Sequence, residues 1–377
     1  MMHVQELVDL TIDFLHDSLD DLRRCSLISR SWLPASQYHL FSNFALQSEL
    51  EFHRFVAMLE ELPHVLVLIT HLALAIPRTT DELVYGGLVN IHFPNLRQLT
   101  IYTFPSEGGL PLLQRLVSIP SITHIWALQT RDPRWLFSIF YLRTANLRTL
   151  AISSRYFGPD PSWLSSQQEF PHPPPGEHFQ IDCLCISSAT KDLADLIHNP
   201  STSPFDLTVL KRLVLWEEFT RTRPFGDNLQ KIGSSLLELE LNGPIAGRPD
   251  SFGRALKIGP ETLPRLFHFT FHILSPSALA AVPGFLSTIS SGDALQHVTL
   301  VLSRDCAPSS TDLSHFVHVQ SWNTIDHAVQ ELGSVFLTLR VSLMACGALE
   351  SQVGVDSLRG CLPRLATTRR LRVIAIS

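Results

Sequence analysis

Three groups of residues in this chain bring reactive side chains close enough in sequence to suggest chemistry. Asp9, Asp13 and His16 fall on one face of an N-terminal segment with helical apolar spacing. Two carboxylates and an imidazole could hold a metal or move protons, but no partner motif accompanies them, so a solvated polar face is the simpler account. Cys183-Leu184-Cys185 puts two thiols on one side of a strand, because alternate strand residues point to opposite faces. Zinc would need about two further ligands, and no second Cys or His pair stands at matching spacing. These are read as strand cysteines without a metal. His71, His124, His268 and His297 share one position of a repeating pattern, which points to a surface column rather than a catalytic constellation. Nucleophile elbows, zincin helices, phosphate-binding loops and dinucleotide fingerprints are absent from the sequence. The expectation is a non-catalytic chain with no metal and no cofactor.

Composition bounds the elements that must carry these residues. Of 377 residues, 45% are hydrophobic and 17% charged, enough for a large core and too apolar for global disorder. The formal net charge is -6, and no Lys/Arg block supplies the clustered positive charge a nucleic-acid footprint needs. The longest apolar run, Leu62 to Ile76, is shorter than a membrane span and contains Pro63, His64 and His71, so it is read as buried core. The start, Met1 to Asp20, is acidic and amphipathic, unlike a signal peptide. Six scattered cysteines are too sparse for a disulfide scaffold, which implies an intracellular setting, cytoplasmic or nuclear, with neither nucleic acid nor membrane as partner.

From Glu6 to Leu15, Val8, Ile12 and Leu15 form one helical stripe, with Leu7, Leu10 and Phe14 beside it. A second helix is predicted to begin near Ser18 or Asp20, whose short oxygen-bearing side chains suit an N-cap. Leu27, Ile28, Trp32 and Leu33 then form an apolar cluster before Pro34, which disfavours helix at the preceding residue. Three short helices in about 45 residues bury too little surface to stand alone.

The segment from Glu6 to Phe41, ELVDLTIDFLHDSLDDLRRCSLISRSWLPASQYHLF, resembles the F-box of many fungal F-box proteins. The resemblance rests on the E-L-x-D-x-x-I-D-x-L first helix, the D-L-R-x-C-S-L-x-S-R-x-W-L-P centre and the Y-H-L-F close. It implies docking to the Skp-type adaptor, and through it the cullin, of a cullin-RING ubiquitin ligase. Leu7, Leu15, Leu22, Leu27, Ile28 and Trp32 would be adaptor-facing or module-core residues. The family usually opens with Leu-Pro-Pro-Glu or Leu-Pro-x-Glu, where this chain has His3-Val4-Gln5-Glu6. The missing proline removes a pre-organised first turn and one expected adaptor contact. Either the start is truncated or the adaptor is held more weakly.

Beyond residue 60 the pattern apolar-x-x-apolar-x-apolar recurs. It reads Ile69-x-x-Leu72-x-Leu74, Leu96-x-x-Leu99-x-Ile101, Ile122-x-x-Ile125-x-Ala127 and Leu147-x-x-Leu150-x-Ile152. It continues through Ile181-x-x-Leu184-x-Ile186, Leu210-x-x-Leu213-x-Leu215, Leu236-x-x-Leu239-x-Leu241, Leu266-x-x-Phe269-x-Phe271 and Leu295-x-x-Val298-x-Leu300. Weaker copies stand at Phe336-x-x-Leu339-x-Val341 and Leu371-x-x-Ile374-x-Ile376. The fourth-position markers step by 27, 26 and 25 residues from Leu72 to Leu150, and then by 34, 29, 26, 30 and 29 to Val298. Such spacing lies near the leucine-rich-repeat range. Fourth and sixth positions of a strand point inward together, and stacked strand-helix copies bury one continuous apolar layer that a single copy cannot close. Return helices are predicted at Gly109 to Val117, Pro133 to Leu142, Asp192 to His198 and Trp322 to Leu332. The usual repeat asparagine is mostly absent, so the likeness is to the divergent repeats that follow fungal F-boxes. The Pro-rich segment Phe157 to Phe179 and the polar segment Ser303 to Ser321 read as insertions between copies.

The expected fold is therefore α/β, a small helical F-box followed by a leucine-rich-repeat-like solenoid of strand-helix units. Residues 1–45 form the docking module, 46–64 a connecting helix and 65–377 the repeats; a doubly wound α/β domain is the runner-up. The function implied by the resemblance is a substrate-recognition subunit of a Skp-cullin-F-box ubiquitin ligase. The alternative is an F-box and repeat interaction protein outside any ligase, and an unrecognised α/β hydrolase is the third class. A protein target would meet the third, fifth and seventh positions, which face away from the core. Tyr102, Trp126 and Leu128 would form an aromatic patch, Trp216 would join the same surface, and Arg212 would pair with Glu238 on the neighbouring strand.

Overall fold

The computed structural model describes residues 4–75, 87–103, 110–128, 146–153, 179–187, 205–216, 232–242, 263–273, 276–289, 294–302, 321–342 and 356–376. The predicted helices Pro133 to Leu142 and Asp192 to His198 lie outside the described residues. So do nearly all of the two insertions, Phe157 to Phe179 and Ser303 to Ser321. The chain divides into two compact units, Met1–Pro175 and Gly176–Ser377.

The first unit opens with three helices, α1 (Val4–Phe14), α2 (Leu19–Ile28) and α3 (Leu33–Phe41). Ile12, Leu22, Cys25 and Ser36 are enclosed between them. Ser18 stands at the N-cap of α2, yet its hydroxyl donates to the Asp21 carboxylate at 2.7 Å instead of capping the helix. Pro34 lies in the first turn of α3, where its missing N–H costs nothing. Helix therefore begins at Leu33 rather than after the proline.

A parallel ladder follows immediately: β1 (Asn43–Leu46), β2 (His71–Ala75), β3 (Gln98–Thr103), β4 (His124–Ala127) and β5 (Thr149–Ser153). Each strand pairs with the next in the chain. Return helices α4 (Glu49–Glu61) and α5 (Leu110–Val117) lie between strands, as parallel pairing requires a crossover. The sheet thus starts inside the stretch assigned to the docking module, and the connecting helix occupies 49–61 rather than 46–64. Phe41-x-x-Phe44-x-Leu46 is an additional copy of the repeat, with Phe44 opposite Leu72 and Leu46 opposite Leu74. Ser48 and Glu51 cap α4 reciprocally, the Glu51 carboxylate accepting the Ser48 N–H at 3.0 Å.

The second unit contains β7 (Cys183–Ser187), β9 (Arg212–Trp216), β10 (Glu238–Asn242), β11 (His268–Ile273), β12 (His297–Leu302), β13 (Phe336–Ser342) and β14 (Leu371–Ile376). These seven pair in parallel and in chain order. The short strands β6 (Phe179–Gln180) and β8 (Phe205–Asp206) make a separate two-stranded pair. Helices α6 (Pro276–Ile289), α7 (Ser321–Glu331) and α8 (Pro363–Thr367) pack successively on one another. Among the described residues neither ladder reverses its strand order as a doubly wound sheet does. The protein is mixed α/β, with twelve described parallel strands in the two ladders, five and seven respectively.

One backbone device joins copy to copy in both units. The carbonyl of the second pattern residue accepts the N–H groups of the second and third residues of the next copy. Ser42 accepts from Thr70 and His71, Arg97 from Thr123 and His124, Lys211 from Leu237 and Glu238, and Phe267 from Gln296 and His297. Asn95 and Asn146 add side-chain links of one kind, donating to the carbonyls of Val67 and Pro120 two residues ahead of the preceding copy's pattern. First, fourth and sixth residues are enclosed from Ile69 to Leu300. Each such leucine contributes about 1.5–3 kcal/mol relative to exposure.

Two copies differ from expectation. Leu337 and Leu339 of β13 stand opposite Val298 and Leu300, so the copy lies two residues earlier than the Phe336 reading, and Phe336 is exposed. In β14 Leu371, Val373 and Ala375 continue the rows of Leu337, Leu339 and Val341, while Ile374 lies opposite the exposed Arg340. An odd shift of this kind exchanges the two faces of a strand.

Candidate functional site

α1 is apolar around more of its circumference than the module can cover. Val8, Ile12 and Leu15 turn inward, and Val4, Leu7, Leu10 and Phe14 remain exposed. On α2, Leu22 is fully enclosed, so it is a core residue and not a docking contact. Leu27 at 86% and Ile28 at 61% exposure face solvent, and Leu7 on α1 is 49% exposed. Leu15 and Trp32 are half-buried, Trp32 at the N-cap of α3. Ion pairs of Arg23 with Asp20 and Arg24 with Asp21 hold polar side chains near this apolar surface. Apolar residues in such density rimmed by charge are what a protein-docking surface presents. Val4, Leu10, Phe14 and Leu19 are exposed as well; Leu10 and Phe14 were read from sequence as flanking the apolar stripe, and none of the four as a docking residue.

Asp13 is not merely solvated. Its Oδ1 lies 2.8 Å from His39 Nε2, tying α1 to α3, while His16 Nδ1 lies 2.7 Å from the Asp13 carbonyl oxygen.

On the open face of the first ladder, third positions align as expected: His71, Gln98, His124 and Thr149 are lateral partners. Fifth positions run Ala73, Thr100, Trp126 and Ala151, so small side chains flank Trp126. Trp126 itself is 43% exposed. Leu128 continues the ladder by donating its N–H to the Ile101 carbonyl, which puts it alongside Tyr102; both are half-buried. His71 Nε2 lies 3.0 Å from the buried Thr100 hydroxyl, and desolvation lowers its pKa.

The second unit presents a charged and aromatic face. The third positions Cys183, Arg212, Glu238, His268 and His297 are successive partners, followed by Phe336. Arg212 reaches Glu238 at 3.5 Å, as expected, but its tighter partner is Glu240, two residues along, at 2.9 Å. The other Glu240 oxygen is 2.9 Å from His272 Nε2. Burial works to raise the Glu240 pKa, but hydrogen bonds from His272 and Arg212 outweigh it and hold the carboxyl below its ordinary range. Burial likewise opposes the Arg212 charge, and the Glu240 carboxylate reverses the balance and raises its pKa. His297 lies edge-on to Phe267 at 5.2 Å and stacks with Phe336 at 6.0 Å, both phenyl rings being exposed. This patch escaped the sequence reading because Phe336 was given a core position. The side chain of Trp216 lies outside the described residues.

The two thiols of β7 sit on this same face, Cys183 Sγ 3.8 Å from Cys185 Sγ. Among the described residues no group of three or more His, Cys, Asp or Glu side chains is arranged to hold a metal ion. No helix among them is long and apolar enough to cross a membrane. The described surface presents exposed apolar side chains on α1 and α2 and polar and aromatic columns on the strands. No protein-family model and no curated protein matches this chain.

Proposed function

We propose that this chain is a non-catalytic substrate receptor of a Skp-cullin-F-box ubiquitin ligase. Its N-terminal helices would dock on the Skp-type adaptor, and the open strand faces of its leucine-rich-repeat-like solenoid would hold a protein target. The observation that carries this reading is the unpartnered apolar surface of Leu7, Leu10, Phe14, Leu27 and Ile28 on a three-helix module too small to have a use for it alone. The F-box-like sequence covers those same helices. Strands in chain order with the same carbonyl clasp between copies support the repeat reading. In this role the chain forms and breaks no bond; it positions a target lysine near a separately recruited enzyme.

Mixing the purified full chain with a recombinant Skp-type adaptor tests the proposal. A one-to-one complex on gel filtration, lost on Leu27→Asp without loss of helical signal, is the expected result. A folded chain that ignores the adaptor would overturn the ligase role and favour an interaction protein outside any ligase.

A further inference from the structure

Recognition makes no use of the thiol pair on β7. Cys183 and Cys185 project from the open face, half-buried, with their sulfurs 3.8 Å apart. Arg212 is the lateral partner of Cys183 on the next strand. Leu184 between them is enclosed, so the strand is anchored from the opposite side. We propose that Cys183 and Cys185 form a peroxide-responsive dithiol, with Cys183 the attacking sulfur and Cys185 the resolving one.

The asymmetry of the pair assigns the roles. Either sulfur can donate in the contact between them, but Cys183 is the one beside Arg212. With Cys185 as donor the hydrogen bond lowers the Cys183 pKa against the effect of burial, and the Arg212 charge adds to the lowering against the carboxylates of Glu238 and Glu240. The same hydrogen bond, with burial, pushes the Cys185 thiol up and keeps it protonated. The thiolate is the nucleophile. It attacks one oxygen of a hydroperoxide, the O–O bond breaks, and the leaving alkoxide or hydroxide takes a proton to depart as alcohol or water. Cys183 becomes a sulfenic acid. Cys185 then attacks the Cys183 sulfur, its thiol proton joins the departing hydroxyl as a second water, and the disulfide closes. Two thiols lose two electrons to the peroxide, which is reduced, so the balance is complete.

Strand geometry makes the product reversible. Residues two apart on an extended strand have Cα atoms about 6.6 Å from each other, at the upper limit of what a disulfide spans. Closure must pucker β7, and a strained disulfide is readily reduced. Oxidation also removes an ionisable thiol next to Arg212 from the face that carries Glu238 and Glu240.

The test uses the full chain, reduced and then treated with hydrogen peroxide near stoichiometry before N-ethylmaleimide quenching. Expected is a species two hydrogens lighter, mapped to a Cys183–Cys185 link and reversed by dithiothreitol. In Cys185→Ser, dimedone should label Cys183. In Cys183→Ser, Cys185 should stay unlabelled. Iodoacetamide near neutral pH should modify Cys183 at least about tenfold faster than Cys361, whose thiol burial pushes up. Circular dichroism melts check that both serine variants fold. Labelling of Cys185 in preference to Cys183, a dominant link to any other cysteine, or a chain that stays fully reduced would overturn the proposal.

Discussion

Truncating Leu27 and truncating Leu22 should have opposite signatures, because the two side chains lie on the same short helix with opposite exposure. Leu27 is 86% exposed and Leu22 fully enclosed. Leu27→Ala removes three carbons worth about 0.8 kcal/mol each when they leave water. With most of that area still to be buried on docking, the loss is about 2 kcal/mol, or roughly thirty-fold in Kd. Its effect on folding should stay within about 0.5 kcal/mol, as for other surface changes. Leu22→Ala instead leaves a cavity and costs about 3 kcal/mol or more of stability. That cost falls on three helices with a small shared core, so adaptor binding and helical signal should fall together. Isothermal titration of the full chain against a recombinant Skp-type adaptor, beside a thermal melt followed by circular dichroism, separates the cases. If Leu27→Ala binds within twofold of the unaltered chain, or melts as early as Leu22→Ala, the assignment of a docking face to α2 is refuted.

Three further outcomes follow from single sites. Asp326→Ala should cost about 2–5 kcal/mol, since its buried carboxylate accepts the Arg364 N–H at 3.1 Å and the Leu365 N–H at 3.0 Å; hydrogen exchange at those two amides should accelerate, and Asp326→Asn should recover part of the loss. His71 and His268, whose pKa values desolvation holds below that of a free imidazole, should make stability fall as pH drops below about 6.5 toward their folded values, because the unfolded chain protonates first. Melts between about pH 7.5 and about pH 5.5 check this, with His71→Gln and His268→Gln flattening the profile; the stability from Glu240 is lost only at more acid pH, through its depressed folded value. Trp126→Ala should weaken target binding while lowering the melting temperature far less than Leu150→Ala, an enclosed neighbour expected to cost about 2–5 kcal/mol.

Much of the ladder was legible in sequence because a strand has a period of two and its register must keep one face buried. The alignment of His71 with Gln98 and His124, or of Arg212 with Glu238 and His268, follows directly from matching enclosed leucines. The same rule failed where the pattern was ambiguous. Phe336-Leu337-Thr338-Leu339 and Leu371 to Ile376 offer apolar residues at both parities or at two offsets, so local spacing cannot choose between them. The neighbouring strand chooses, by supplying rows for only one set. The first copy, at Phe41 to Leu46, was hidden for a different reason: its opening residue also closes the F-box-like stretch.

From Ile69 to Leu300 the sequence alone determined which residues form the enclosed layer and which columns face away from it, since these depend on local periodicity and on the cost of exposing leucine. Tertiary structure decided which apolar residues are left without a partner. Val8, Leu10, Ile12 and Phe14 are equally apolar in the chain, but only packing against α3 separates enclosed Ile12 from exposed Leu10 and Phe14. It also decided the long-range polar bonds, such as Asp326 with Arg364 and Glu240 with His272. Those depend on distances between side chains brought together from tens of residues apart, which no spacing rule within one segment contains.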